Sequence, residues 1–150
     1  MTKTFDFAEQ LKSGNKGEEL FLKTHPDIIR LDGRRGDFMG NTGRKIELKT
    51  ESRPSTSPNI FLERYSSIET KNPGGCWQAL EHDAHYLVYL FGDWVAWWFP
   101  VKPLVKFMDL YLIEKTPFMH VIRNKGWSGG GYAVPKKDLR HLIELEEVLK

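Results

Sequence analysis

The chain has a single cysteine, Cys76, so no internal disulfide can staple it and no multi-cysteine zinc ribbon can form. Nowhere does an apolar run approach the roughly 18 residues that a membrane span needs, and the opening Met1-Thr2-Lys3-Thr4-Phe5-Asp6-Phe7 has no apolar signal core. Excess charge of one sign is missing too. With 22 Lys and Arg against 20 Asp and Glu, the formal charge is only +2, which excludes a polycation that coats nucleic acid. There is no internal repeat and no low-complexity tract. These absences lead to the expectation of a soluble, cytoplasmic protein. The 150 residues, 40% hydrophobic and 13% aromatic, are about one domain's worth of chain with a real core, so residues 1–150 are read as a single domain.

Apolar spacing between Phe7 and Leu11 is helical, but Ser13-Gly14-Asn15 interrupts it, and the first helix is expected over about residues 15–25, ending before Pro26. Asp27-Ile28-Ile29-Arg30-Leu31 reads as a short strand leaving into the turn Asp32-Gly33-Arg34-Arg35-Gly36. A hairpin follows, from Asp37-Phe38-Met39 through Gly40-Asn41-Thr42-Gly43 into residues 44–51, where Ile46 and Leu48 alternate with Lys45, Glu47 and Lys49. Residues 52–58 form a loop, 59–65 a strand and 77–85 a helix. The apolar runs 86–91 and 94–99, joined at Gly92-Asp93, predict a second hairpin. A helix over 104–115, a glycine-rich loop at 126–131 and a final helix from about Lys136 complete a mixed α/β order.

Three features within one window carry chemistry. Glu18 and Glu19 lie early in the first helix, Asp37 stands where a strand leaves a turn, and Glu47-Leu48-Lys49 lies in the next strand. Period-two geometry puts Glu47 and Lys49 on one face, opposite Leu48. If the two strands are neighbours, Asp37 and Glu47 come together, and two crowded carboxylates raise each other's pKa unless a cation sits between them. Carboxylate oxygens with retained waters suit Mg²⁺, with Mn²⁺ as a substitute, and Lys49 is placed to orient a water or stabilise developing charge. The plainer alternative makes Asp37 a turn cap and Glu47 with Lys49 an exposed charge ladder, with Glu18 and Glu19 complementing the helix dipole.

Gly36-Asp37, nine intervening residues, then Glu47-Leu48-Lys49 resembles the signature of the PD-(D/E)XK nuclease superfamily, with an acid in the preceding helix as its third part. The segment Gly14-Asn15-Lys16-Gly17-Glu18 is similar to the first helix of archaeal-type Holliday junction resolvases and related phage nucleases. The resemblance covers about residues 14–66. It implies a restriction-endonuclease-like α/β core, a mixed central β-sheet flanked by helices in α-β-β-β-α-β order. It also implies catalytic roles for Glu18, Asp37, Glu47 and Lys49, with Asp37, Glu47 and Glu18 as ligands to Mg²⁺. Glu19 is the alternative to Glu18, since adjacent helical residues point about 100° apart. Gly36 stands where the family name has proline, and His82 follows Gln78 where a RecB-type motif would want tyrosine.

The function implied is a divalent-metal-dependent DNA endonuclease, homodimeric, from a phage or mobile element or a host repair system. A structure-selective junction resolvase and a non-catalytic DNA-binding module are the alternatives. Charge placement agrees with a DNA partner. Seven Lys and Arg against Asp109 and Glu114 lie between Val101 and Lys137, and Arg34, Arg35 and Arg53 flank the acids. Lys125, beside Trp127, is a further candidate phosphate contact. Glu51 and Glu63 are read as supporting acids or solvated surface acids, and His82 and His85 as packing or surface histidines rather than ligands. Trp77, Trp94, Trp97 and Trp98 are expected in a core or a subunit interface.

Overall fold

A computed structural model of the chain describes residues 7–31 and 37–150, with side chains from residue 16 onward. The first helix, α1 (Phe7–Thr24), runs unbroken through Ser13-Gly14-Asn15, so the expected interruption does not occur. Short strands β1 (Ile29–Arg30) and β2 (Asp37–Met39) follow, then the longer β3 (Lys45–Glu51). The β2–β3 turn closes with the Gly43 amide donating to the Gly40 carbonyl and the Gly40 amide to that of Arg44. Gly43 takes φ +80, the left-handed conformation glycine adopts at least cost.

The chain then leaves this sheet through β4 (Asn59–Ser67), β5 (Asn72–Pro73) and α2 (Gly75–Glu81), and returns as β6 (Tyr86–Phe91) and β7 (Val95–Pro100). Helix α3 (Val101–Lys115), strands β8 (His120–Arg123) and β9 (Ser128–Pro135), the single turn α4 (Lys136–Leu139), a 3₁₀ turn (Arg140–Leu142) and β10 (Leu145–Val148) complete it. Two expectations are corrected here. The glycines at 129–131 lie in a strand rather than a loop, and the expected C-terminal helix is one turn followed by an edge strand paired with β7.

Among the described residues, ten strands form two sheets. The larger is mixed, ordered β1-β2-β3-β6-β7-β10, and the smaller is antiparallel, ordered β5-β4-β9-β8. Among the described residues only β3 and β6 pair in parallel, so the excursion through β4, β5 and α2 is the crossover that parallel pairing demands. One of the two central strands, β6 is buried on both faces, which explains its unbroken apolar run Leu87-Val88-Tyr89-Leu90-Phe91.

Side-chain alternation divides the core in two. On the α1 face, Phe21 packs with Phe38, Ile46, Leu48, Val88, Leu90, Ala96 and Trp98. Across the sheet, Leu87, Tyr89, Phe91, Trp97 and Phe99 pack with α2, α3 and residues Ile60 and Leu62 of the smaller sheet. Trp77 joins this second core and donates its indole N–H to Asp109. Trp97 and Trp98 are therefore core residues, whereas Trp94 in the β6–β7 turn is 38% exposed.

Candidate metal centre

Strand register builds the site. Asp37 of β2 lies directly opposite Glu47 of β3. Their neighbours Phe38 and Leu48 point into the α1 core, so the two acids share the other face, and Lys45 and Lys49 share it with them at period-two spacing. Both acids are only 4% exposed. Burying two carboxylates side by side is costly unless positive charge compensates it. The Lys45 ammonium lies 3.9 Å from Asp37 Oδ2, and it also donates to the His82 carbonyl at 3.1 Å.

His82 enters from the crossover. Gly74 and Gly75 let α2 begin hard against β4: a Cβ on Gly74 would lie 2.3 Å from Glu63 Oε1, and one on Gly75 would lie 2.5 Å from the Glu63 carbonyl oxygen. Seven residues later the helix stops, and His82 at its C-terminal cap faces β3. The His82 Nδ1–H donates to Glu47 Oε1 at 2.7 Å. Asp37, Glu47 and His82 each bring one ligand atom to within 4.8 Å of the others.

This group fits a divalent cation on one specific observation. One Glu47 oxygen takes the His82 hydrogen bond, and the other, Oε2, is buried with no hydrogen-bond partner. A buried carboxylate oxygen without a donor is expensive, and a divalent cation is one partner that two acids and an imidazole could share. The imidazole also alters metal preference. Oxygen-only cages suit Mg²⁺, whereas an added nitrogen donor moves the site toward Mn²⁺ and the later divalent ions.

Other predicted residues fall as follows. Lys49 stands on the same face, and its charge acts on Glu63, whose carboxyl is pushed above the usual carboxylate range by burial against the pull of that ammonium. Tyr89, opposite Lys49 in register, is buried, and burial first, then Cys76 and the acids Glu63, Glu51 and Glu47, hold its phenol well above the ordinary value. It therefore remains a neutral hydroxyl. Glu18 is buried and ion-paired with Arg30 at 3.1 Å, and it is not part of the Asp37, Glu47 and His82 trio. Glu19 is exposed. Arg53 is exposed and bonded to Glu51 at 3.1 Å, and Lys125 is exposed beyond β8. Arg34, Arg35 and Gly36 lie outside the described residues.

His82 is the residue that reading the sequence undervalued. Its neighbour in the pattern, His85, is exposed, so the i, i+3 histidine pair does not converge. The available signal was that His82 ends the helix leading back into the parallel strand. Glu63 was likewise read as most simply a solvated acid, and the structure withdraws it from solvent beside Lys49. No family model, curated protein or solved structure matches the chain. Among the described residues, no helix is long and apolar enough to cross a membrane.

Proposed function

We propose that the chain is a divalent-metal-dependent DNA endonuclease with a restriction-endonuclease-like core. The observation that carries the reading is the register pair Asp37 and Glu47, with Lys49 on the same buried face and a Glu47 oxygen that lacks a partner. The element order α1, β1, β2, β3, α2, β6 around the larger sheet supports the same fold, with β4 and β5 inserted in the crossover.

Asp37, Glu47 and His82 would hold the ion, Mg²⁺ or, given the imidazole, Mn²⁺ in preference. When bound there, such an ion supplies a Lewis acid for a phosphodiester oxygen and lowers the pKa of water. The chain's own contribution is positioning and charge. Lys49, whose charge acts on half-buried Glu63, presents an ammonium on the site face where negative charge would build on the phosphorus oxygens. Lys45 lies beside Asp37 and ties β3 to the end of α2, holding His82 at the acids. Without an ion, His82 Nδ1 holds the Glu47 carboxylate at 2.7 Å, a bond that ligation through Nδ1 would replace. Glu18, tied to Arg30, braces α1 against the first strand.

The test incubates wild type and Lys49→Ala with supercoiled plasmid and with synthetic four-way junctions, in Mg²⁺, Mn²⁺ or EDTA. The expected result is nicking by wild type with metal, faster in Mn²⁺, and loss of about 10²-fold or more in the variant. No cleavage by wild type in either metal, or equal cleavage by the variant, would sink the assignment. Preferential cutting of junctions over plasmid would identify a structure-selective enzyme.

A further inference from the structure

Strand β8 and the β8–β9 turn form an arm at the edge of the smaller sheet, with no residue in either core, while β9 pairs with β4 and sends Val134 into the core. The β8–β9 pairing sets His120 opposite Gly131, Val121 opposite Gly130 and Ile122 opposite Gly129. Three of the four β8 residues thus stand across from a residue with no side chain. Gly131 is required at the arm's base, since a Cβ there would lie 2.4 Å from the Leu62 carbonyl oxygen, whereas one on Gly130 would meet the movable Met119 Sδ at 2.9 Å. The consequence is that β8 is exposed at every residue, with Val121 at 50%, Ile122 at 47% and Trp127, in the turn, at 49%.

That turn is basic. Between Arg123 and Ser128 the chain reads Asn124-Lys125-Gly126-Trp127, closed by the Asn124 amide donating to the Trp127 carbonyl, with Gly126 at φ +92. From Lys115 to Lys137 there are five Lys and Arg and no Asp or Glu. At the arm's foot, Glu69 accepts the Ser128 amide at 2.9 Å. One strand away, Glu63, which the Lys49 charge acts on, is the register partner of Gly131. The arm therefore starts one strand beyond β4, whose Glu63 feels the Lys49 charge.

We infer that the β8–β9 arm is a DNA-gripping element, in which Arg123 and Lys125 neutralise phosphates and Trp127 stacks on an unpaired base. This rests on the nuclease reading for the choice of DNA as the polyanion. Charge decides between occupants. A second copy of the arm would bring like charge against like, whereas a phosphate backbone complements an acid-free ribbon. The exposed indole beside two cations adds a flat apolar face, and stacking on aromatic rings is worth about 1–3 kcal/mol per base. The combination favours DNA with unpaired bases, such as a tail, flap or branch, over a blunt duplex.

The test uses the full chain in EDTA, so that binding is read without cleavage, and measures anisotropy of a labelled blunt duplex and the same duplex with a single-stranded tail across a salt series. Arg123→Ala with Lys125→Ala should weaken both complexes and reduce the slope of log affinity against log salt by about 1.8, at about 0.9 per phosphate contact. Trp127→Ala should keep the slope and lose about 5- to 150-fold of the preference for the tailed DNA, with Trp127→Phe restoring most of it. Unchanged binding and slope in both variants overturns the proposal. So does a dimer in sedimentation that Trp127→Ala converts to monomer, since the surface is then a self-contact. Arm-dependent binding by a wild type that never cuts DNA would sink the nuclease reading and leave the arm standing.

Discussion

Replacing Glu47 by Gln keeps its shape, removes its charge and puts a donor where Oε2 now lacks a partner beside Asp37. Two accounts of the buried trio predict opposite outcomes. If the acids form a metal site, the protein without metal carries the cost of two adjacent buried carboxylates, and an unsatisfied buried oxygen alone costs about 1–3 kcal/mol. Glu47→Gln should then be more stable than wild type in EDTA. Adding Mn²⁺ at about 100 times its dissociation constant should stabilise wild type by about 2.7 kcal/mol. A chain of this size gains about 2–4 °C in melting temperature per kcal/mol, so the shift expected is about 5–11 °C. The variant should show little of it, and the two melting curves should change order between EDTA and Mn²⁺. If the trio is instead an ordinary ion pair joining β3 to α2, removing the Glu47 charge weakens the 2.7 Å His82 bond and destabilises the protein with or without metal. Scanning calorimetry or fluorescence melts decide between them. A variant less stable than wild type in EDTA, together with no metal shift in wild type, would refute the argument.

Three further outcomes follow from burial and charge. Desolvation first, then Asp109, pushes the Cys76 thiol up to about 12 from an ordinary 9.0, so the folded thiol holds its proton at every working pH. At about pH 8 thiolate should be present in about one folded molecule in 10⁴ rather than about one in ten, and a thiol reagent should label Cys76 only on unfolding. Glu63 carries a raised pKa, so wild type gains stability relative to Glu63→Gln as pH falls through that pKa and loses it again as pH rises. Urea melts above and below the ordinary carboxylate range should show the variant's advantage only at the higher pH, and a pH-independent difference would contradict the burial of that acid. Gly131→Ala drives a Cβ into the Leu62 carbonyl and should cost about 1–3 kcal/mol, visible as early exchange of the β4–β9 amides.

Local geometry was the legible part of the sequence. Alternation of Ile46 and Leu48 with Glu47 and Lys49 defines β3, and the Gly40 to Gly43 turn brings Asp37 opposite Glu47, because both depend only on neighbours along the chain. Non-local pairing was hidden. Nothing in the Leu145-Glu146-Glu147-Val148 pattern shows that Trp97 and Trp98 would offer indole N–H groups to Glu146 and Glu147 and draw that segment onto β7 as a strand. Residues 129–131 read as a loop because glycine usually marks one. Here the run lies in a strand, which at Gly131 comes too close to the Leu62 carbonyl for a side chain. Glu18 could be read as the helical acid of the resemblance, yet Arg30, twelve residues on, is what it meets. His82 was obscured for a related reason: its role depends on where a crossover ends.

The parallel pairing of β3 with β6 also sets the order in which the site can assemble. Asp37 and Glu47 meet through a tight hairpin, a contact that costs little loop entropy and needs no other element. His82 joins them across a separation of 35 residues, after β4, β5 and α2 have been laid down and β6 has closed against β3. Such closures are slow steps, since the loop must be ordered before any contact rewards it. A cation that needs all three residues would consequently bind only chains whose crossover is complete. Its affinity would measure the finished sheet, and a folding intermediate holding only the hairpin would offer it two acids and little else.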